Sequence, residues 1–377
     1  IISGVANAVG RPDLLLPIIA GFGEVDSAEP SHAMWDMGRL VRSNDDLTAE
    51  FERGITGLID RLLQSESPEA SEFLKAFEHF VYEYGSRGPN EWEARSPSWE
   101  TRPELALNAI DRMRLAGDEL APKTQNAERA TQREQAATEL LSMVEADPEV
   151  HGELAVGIAA SAAWLPARER TKTNNIRLIH EMRMIMRAIG ARMVEKNAFD
   201  EIEDFGFVTE EEYASLFKEP TSMLNIIRSR RDEYYKLLER EAQFLFDGQA
   251  DHPDTWRRRD AVSEDVLAEG EALQGMPGCT GSAEGTARVI LDSNDPTSLQ
   301  PGDILVAPLT DPSWTPLFVP AAAVVVDVGA PLSHAIIVSR ELGIPCVVSA
   351  TDATRRIPDG ARINVNGDTG VITVLEV

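Results

Sequence analysis

Apolar residues recur at helical spacing through the first two thirds of the chain. Beyond that they alternate or form short unbroken runs between glycines. Residues 1 to roughly 65 read as short helices joined by loops. Leu14 to Ile19 is a brief apolar run, and Asp45-Asp46-Leu47-Thr48 is a capped helix start. Ser67-Pro68-Glu69 opens a helix with proline at its first position, followed by Phe73, Leu74, Phe77, Phe80 and Val81 on one face. Tyr84 to Trp92, with two glycines and a proline, is a tight irregular turn. Ala121 to Ala146 is polar and alanine-rich, a solvated helix. Pro166 suits the first position of another, which the stripe Ile176, Ile179, Met182, Ile185, Met186, Ile189 and Met193 carries to about Lys196. Thr209 to Glu212 is a capping box, and Thr221 to about Phe246 a further helix with Arg228, Arg230 and Arg231 solvated.

Gly248 to Gln274 is polar, carries Pro253 and has no steady period, as a linker would. After it come short strands: Met276 to Ile290, Asp303 to Ala307, the buried run Ala321 to Val328, and a closing hairpin from Ile363 to Val374 turned at Asn366-Gly367 and Asp368-Thr369-Gly370. The expected fold is therefore multidomain, α and α/β. A mostly helical domain (1–247) and a linker (248–274) precede a small β/β/α domain (275–377).

Charge narrows the class. Asp and Glu number 63 against 36 Lys and Arg, a net charge of −27. Nucleic-acid binders carry a basic face, and the only dense basic cluster is Arg257-Arg258-Arg259 among acidic neighbours. No apolar run is long enough to span a bilayer and no secretory signal is visible. The chain begins at Ile1 rather than Met and reads as lacking an N-terminal piece. Cys279 and Cys346 have no metal spacing and read as small core residues of a cytoplasmic protein. No metal site is expected.

The most informative stretch is Val328-Gly329-Ala330-Pro331-Leu332-Ser333-His334-Ala335-Ile336-Ile337-Val338-Ser339-Arg340-Glu341. A buried strand ends at Gly329, and a helix begins at His334 with Ser333 as N-cap. One imidazole is thereby lifted onto a strand-to-helix turn, where helix N–H groups favour an anion. Unperturbed imidazole is largely neutral near pH 7, so it can attack phosphorus and later leave.

These residues resemble the phosphohistidine ("PEP-utilizers, mobile") domain of phosphoenolpyruvate synthase, pyruvate phosphate dikinase and rifampicin phosphotransferase. His334 falls on the phosphorylated histidine of that pattern. Ala330, Leu332 and Ile336 depart from it, standing where glycine, threonine and alanine are common. The resemblance implies a swivelling domain over about 275–377. In it Thr310, Asp311 and Trp314 of the loop Thr310-Asp311-Pro312-Ser313-Trp314-Thr315-Pro316-Leu317 either orient the ring or simply build the loop.

A looser resemblance covers roughly 70–245, to the acceptor-binding domain of rifampicin phosphotransferase-like enzymes. It rests on the turn around Arg87-Gly88-Pro89-Asn90-Glu91 and on Arg168-Glu169-Arg170-Thr171-Lys172. Arg87 and Glu91 either pair with each other or cap helices, or else border the acceptor pocket. Arg168 and Lys172, four apart near the expected helix N-terminus, would clamp a phosphoryl group, with dipole and charge adding. Glu169 would accept a proton from the incoming hydroxyl; the alternative is a surface helix whose charges make ordinary i,i+4 salt bridges.

The chain has no phosphate-binding P-loop, no segment resembling an ATP-grasp domain and no (β/α)8 pattern. The resemblance then implies a split enzyme. An ATP-grasp partner, holding ATP and Mg2+, would phosphorylate His334, and the group would pass to a phenol or cresol. The layout is similar to that of phenylphosphate synthase and 4-methylbenzyl phosphate synthase. Two other readings stay open: the C-terminal part of a rifampicin-type antibiotic phosphotransferase, and a non-catalytic regulatory subunit.

Overall fold

The computed structural model describes the chain apart from residues 23–24, 27, 119–120, 243–245, 260–264, 293–298, 312–313 and 332, and apart from the side chains of 122–128 and 316. Pro312 and Ser313 of the loop facing the histidine, Leu332 of the histidine motif and part of the expected linker thus lie outside the described residues. The rest divides into two compact units: Ile1–Glu91, Ser96–Ile176 and Asp265–Val377 form the first, and Trp92–Arg95 with Arg177–Glu264 the second.

The first unit is built on one mixed sheet. Its strands are β1 (Ala272–Gln274), β2 (Met276–Cys279), β3 (Ser282–Val289), β4 (Ile304–Ala307), β5 (Ala323–Val326), β6 (Cys346–Val348), β7 (Arg362–Asn366) and β8 (Val371–Glu376). They lie in the order β1-β8-β7-β3-β4-β5-β6-β2. β3 to β6 run parallel, with Leu305 opposite Val324 and Val325 opposite Val347. Every residue of β4 and β5 is buried, because these central strands are covered on both faces and are apolar throughout. The closing hairpin forms as expected: β7 and β8 pair antiparallel, with Asn366 opposite Val371.

Parallel strands need crossovers, and two of them build the site. Thr315–Phe318 follows β4, and His334–Leu342 follows β5. Both helices therefore start beyond the carboxyl ends of parallel strands, where α/β sheets place their ligands.

Helices Glu29–Arg42, Pro68–Tyr84 and Glu104–Leu115 belong to the same unit. Their apolar faces share one core with the sheet segment: Phe73, Phe80 and Ile110 belong to the same buried cluster as Trp314, Phe318 and Ile336. Phe51, Phe73, Phe77, Phe80 and Trp99 run as a chain of rings, with consecutive centroids 5.4 to 6.1 Å apart. Each such ring contributes roughly 1.5–3 kcal/mol by leaving water. Ser67 caps its helix as expected, accepting from the Ala70 N–H at 3.4 Å.

One expected boundary is overturned. Pro166 does not open a helix; it sits inside a helix of 48 residues, Pro148–Glu195. Proline has helical φ, and its cost of roughly 3 kcal/mol comes from a lost N–H and a ring clash. Packing on either side outweighs that cost: Leu154 is buried against the helix Pro122–Met143, and Ile176 is fully buried. The methionine stripe is only partly core, with Met193 buried but Met182 and Ile185 exposed.

The second unit has a small core of Met193, Phe205, Leu216 and Ile227. Here Arg228, Arg230 and Arg231, expected to be solvated charges, are paired. Arg228 forks onto Asp200 at 2.7 and 2.6 Å, Arg230 onto Glu212, and Arg231 reaches the buried Asp204 at 3.0 Å. Their partners lie far away in sequence, so helix periodicity could not reveal them. Glu212 also closes the expected capping box with Thr209, in a 3-10 turn. The stretch 248–274 carries the 3-10 turn Pro253–Thr255 and, at its end, β1.

Candidate active site

His334 is the first residue of the helix His334–Leu342, and Ser333 is its N-cap. Ser333 has extended backbone, but its hydroxyl makes no capping bond; Oγ is buried without a partner among the described residues. Gly329 is required just upstream, since a Cβ there would stand 2.6 Å from Cβ of Val348.

Both ring nitrogens of His334 are engaged. Nδ1 lies 3.2 Å from the Thr310 hydroxyl and Nε2 lies 3.1 Å from the Thr315 hydroxyl. A hydroxyl can donate or accept, so this pair of threonines serves either neutral tautomer. Phe318 meets the ring edge-on, with centroids 5.8 Å apart. The imidazole is partly open by surface area yet densely surrounded. Burial, and then the charges of Lys172 and Arg87, push its pKa well below the ordinary value. All three effects favour the neutral ring, the nucleophilic form.

Those two cations belong to a buried network. Arg87 Nε donates to Glu91 Oε2 at 2.6 Å, with both side chains essentially inaccessible. Lys172 Nζ lies 3.1 Å from Glu91 Oε1. Arg87 also donates to Thr173 Oγ1 at 3.2 Å and to the Asp26 carbonyl at 3.4 Å. Two cations thus share one carboxylate, leaving a net positive charge beside the imidazole, which suits a phosphoryl group. Arg87 and Glu91 pair with each other, and the charge of Arg87 acts on the His334 ring.

The turn that carries them depends on two permissive residues. Gly88 allows a close pass, because a Cβ there would stand 2.6 Å from the Pro97 carbonyl oxygen. Asn90 takes a left-handed φ of 48°, which asparagine tolerates. Its N–H donates to Asp311 Oδ2 at 2.8 Å, tying this turn to the loop after β4. Trp314, at the end of that loop, is buried in the shared core.

Arg168 and Glu169 pair with each other, Glu169 being buried and Arg168 half exposed. They line a cavity one turn along the long helix from Lys172. The helix-dipole part of the expected clamp is withdrawn. Arg168 and Lys172 lie deep inside Pro148–Glu195, and a helix dipole acts only within its terminal turns. Side-chain charge alone acts here.

Residues 299–370 match the mobile domain of PEP-utilising enzymes, and residues 2–169 match the rifampicin phosphotransferase fourth domain. The chain carries a PEP-utilising enzyme mobile domain behind a rifampicin phosphotransferase fourth domain. A rifampicin phosphotransferase of Streptomyces sviceus is 32% identical over 99% of this chain, which spans 42% of that protein. A rifampicin phosphotransferase of Bacillus cereus is 28% identical over 93% of the chain, which covers 40% of it. An uncharacterized phosphotransferase of Bacillus subtilis is 29% identical over 93%, again with 42% of its length covered. The chain thus spans less than half the length of these relatives.

The mobile domain supplies His334, Thr310 and Asp311; the fourth domain supplies Arg87 and Glu91, while Lys172 and Thr173 follow its matched end. The sequence did not single out Thr315, Phe318 or Thr173 as neighbours of the site. Thr315 was in view inside the loop motif, and its hydroxyl five residues after Thr310 was the only signal. Among the described residues no three His, Cys, Asp or Glu side chains gather as a metal cluster, and no helix is long and apolar enough to cross a membrane.

Proposed function

We propose that this chain is the phosphoryl-carrying and acceptor-receiving part of a phosphotransferase, with His334 as carrier. The carrying observation is the neutral imidazole held at both nitrogens by Thr310 and Thr315, in the field of Arg87 and Lys172. The first half-reaction forms an N–P bond on the ring as the donor's P–O bond breaks. In the second, the acceptor oxygen attacks phosphorus and the N–P bond breaks. The hydroxyl proton passes to the Glu169 carboxylate, and the ring returns neutral. Arg87 and Lys172 hold the phosphoryl oxygens, and Thr310 and Thr315 keep the ring aimed.

The donor we infer is ATP, used with Mg2+ on an ATP-grasp segment or partner that also leaves AMP and phosphate. The steps assigned to this chain involve its own side chains only. The acceptor is a small aromatic hydroxyl compound. Between a phenol-phosphorylating subunit and the C-terminal part of a rifampicin-type enzyme, the second is favoured by the named relatives and by the fraction of their length that this chain spans.

The test is chemical. With an ATP-grasp partner and ATP labelled at the β-phosphate, the chain should acquire one acid-labile, base-stable phosphate on His334. A His334→Gln chain that still makes phosphorylated product would end the proposal.

A further inference from the structure

Two hydrogen bonds of one kind join the mobile domain to the fourth domain. Asp311 Oδ2 accepts from the Asn90 N–H at 2.8 Å, and Glu341 Oε1 accepts from the Gly21 N–H at 3.1 Å. Each time the mobile domain supplies a carboxylate and the fourth domain a backbone donor. Each time, too, the donor residue has a left-handed φ, 48° at Asn90 and 65° at Gly21.

Both donors are fixed on their own side. Gly21 is pressed against the helix Pro122–Met143: a Cβ there would stand 2.5 Å from the Arg129 carbonyl carbon. Its own carbonyl accepts from Arg133, so the residue is held from both directions. Asn90 directly precedes Glu91, whose buried pair with Arg87 closes the turn.

The acceptors sit at two places on the structure that carries the imidazole. Asp311 follows Thr310, whose hydroxyl lies 3.2 Å from His334 Nδ1. Glu341 stands seven residues beyond His334 in the same helix, on the same face and about 10 Å along the axis. One bond is therefore made beside the loop that steadies the ring, the other at the far end of the ring's helix. On the fourth-domain side, Asn90 leads into Glu91, which holds Arg87 Nε at 2.6 Å and Lys172 Nζ at 3.1 Å. The run Thr310, Asp311, Asn90, Glu91 thus links the ring to the two cations whose charge acts on it.

Apolar packing does not by itself set that register. The helix His334–Leu342 packs on Pro122–Met143, and Trp314 and Phe318 share a core with Phe80 and Ile110. Such burial is favourable but non-directional. A hydrogen bond is directional, and a slip of about 1 Å breaks it.

Resting on the phosphotransferase reading above, we infer that Asp311 and Glu341 are positioning residues: their carboxyl groups fasten the mobile domain to the Asn90 and Gly21 N–H groups, in the register that sets the His334 ring in the field of Arg87 and Lys172. Each contact is made to backbone, so no fourth-domain side chain has to rearrange when it forms or parts.

Carbethoxylation by diethyl pyrocarbonate tests this on the full chain. The reagent attacks neutral imidazole. Peptide mass spectrometry reads His334, and the exposed His252 is the internal control. Asp311→Ala should speed modification of His334 about tenfold or more, as loss of one hydrogen bond to a charged group implies. Asp311→Asn keeps an acceptor oxygen and should restore the slow rate. Burial raises the Glu341 carboxyl to about 7, so removing it also relieves a desolvation cost. The comparison there is between neutral variants: Glu341→Ala should react about fivefold faster than Glu341→Gln. It also decides if Asp311→Ala does not fold. In both alanine variants the pH midpoint of His334 reactivity should move up, because the ring leaves its burial and the two cations behind.

Unchanged His334 rates and midpoint in the alanine variants would overturn the inference, and so would an equal rise at His252. An Asp311→Asn chain as fast as Asp311→Ala would do the same, since the backbone contact would then not hold the register. The reaction uses neither phosphoryl donor nor acceptor. Its failure is therefore read apart from failure of the phosphotransferase reading, which only label on His334 decides.

Discussion

Replacing Glu91 by alanine separates what the buried charge network does for stability from what it does for function. The Glu91 side chain is inaccessible; it holds Arg87 Nε at 2.6 Å and Lys172 Nζ at 3.1 Å. Lys172 is 20% exposed and can turn its ammonium to water, whereas Arg87 is 1% exposed and cannot. Removing one partner of a buried pair costs roughly 3–5 kcal/mol, because the remaining charge is left desolvated. For a unit of this size that lowers the melting temperature by roughly 5–10 °C. Removing both partners is a different matter. Arg87→Met with Glu91→Leu replaces the pair by apolar groups of similar volume, a change that is often neutral or stabilising. Calorimetric melting of the single and double variants, with phosphoryl transfer through His334 measured on each, gives the comparison. The single variant should melt early and the double variant near the unaltered chain, while both lose transfer, since each lacks part of the cradle. The reasoning is refuted if Glu91→Ala melts like the unaltered chain, or if the double variant keeps full transfer.

Other consequences follow from the same geometry. His334 has a pKa depressed by burial and by Lys172 and Arg87. Its contribution to stability is therefore complete above about pH 6.5 and is lost by about 1.4 kcal/mol per unit below that, until its own low pKa is reached. Urea midpoints between pH 7 and pH 5 should fall more steeply for the unaltered chain than for His334→Gln; parallel slopes would contradict this. Glu341 has the opposite sign. Its pKa is raised to about 7, so its ionisation destabilises the fold increasingly from about pH 4.5 and fully above pH 7. Glu341→Gln should gain on the order of 2–3 kcal/mol at pH 8 and almost nothing near pH 4.5, and a gain independent of pH would remove the ionisation argument. Thr315→Val keeps the shape of the side chain and removes the hydroxyl 3.1 Å from Nε2. Transfer should fall about tenfold with a stability change near 1 kcal/mol; unchanged rates would show that the ring is aimed by Thr310 and Phe318 alone.

Local chemistry made some of this protein legible from residues close together in the chain. An apolar run ended by Gly329, with Ser333 before His334, reads as a strand turning into a helix, and it is one, although the Ser333 hydroxyl makes no capping bond. The Asn366 to Gly370 turn, the Ser67 cap and the Thr209–Glu212 box are of the same kind. Pro166 shows the limit of such signals. Proline fits a first turn and also endures an interior, and only packing on both sides decided for the interior.

The site itself was decided by contacts far apart in sequence. Nothing near Arg87 announces Thr173 and Lys172, nothing near His334 announces that Thr315 reaches its second nitrogen, and nothing near Glu341 announces Gly21. The sequence alone pointed to His334 as the proposed carrier, because its motif resembles a phosphohistidine loop and the strand-to-helix turn around it is encoded by neighbouring residues. Only the tertiary structure decided what surrounds that imidazole, because burial and charge pairing depend on which distant segments the folded core brings together.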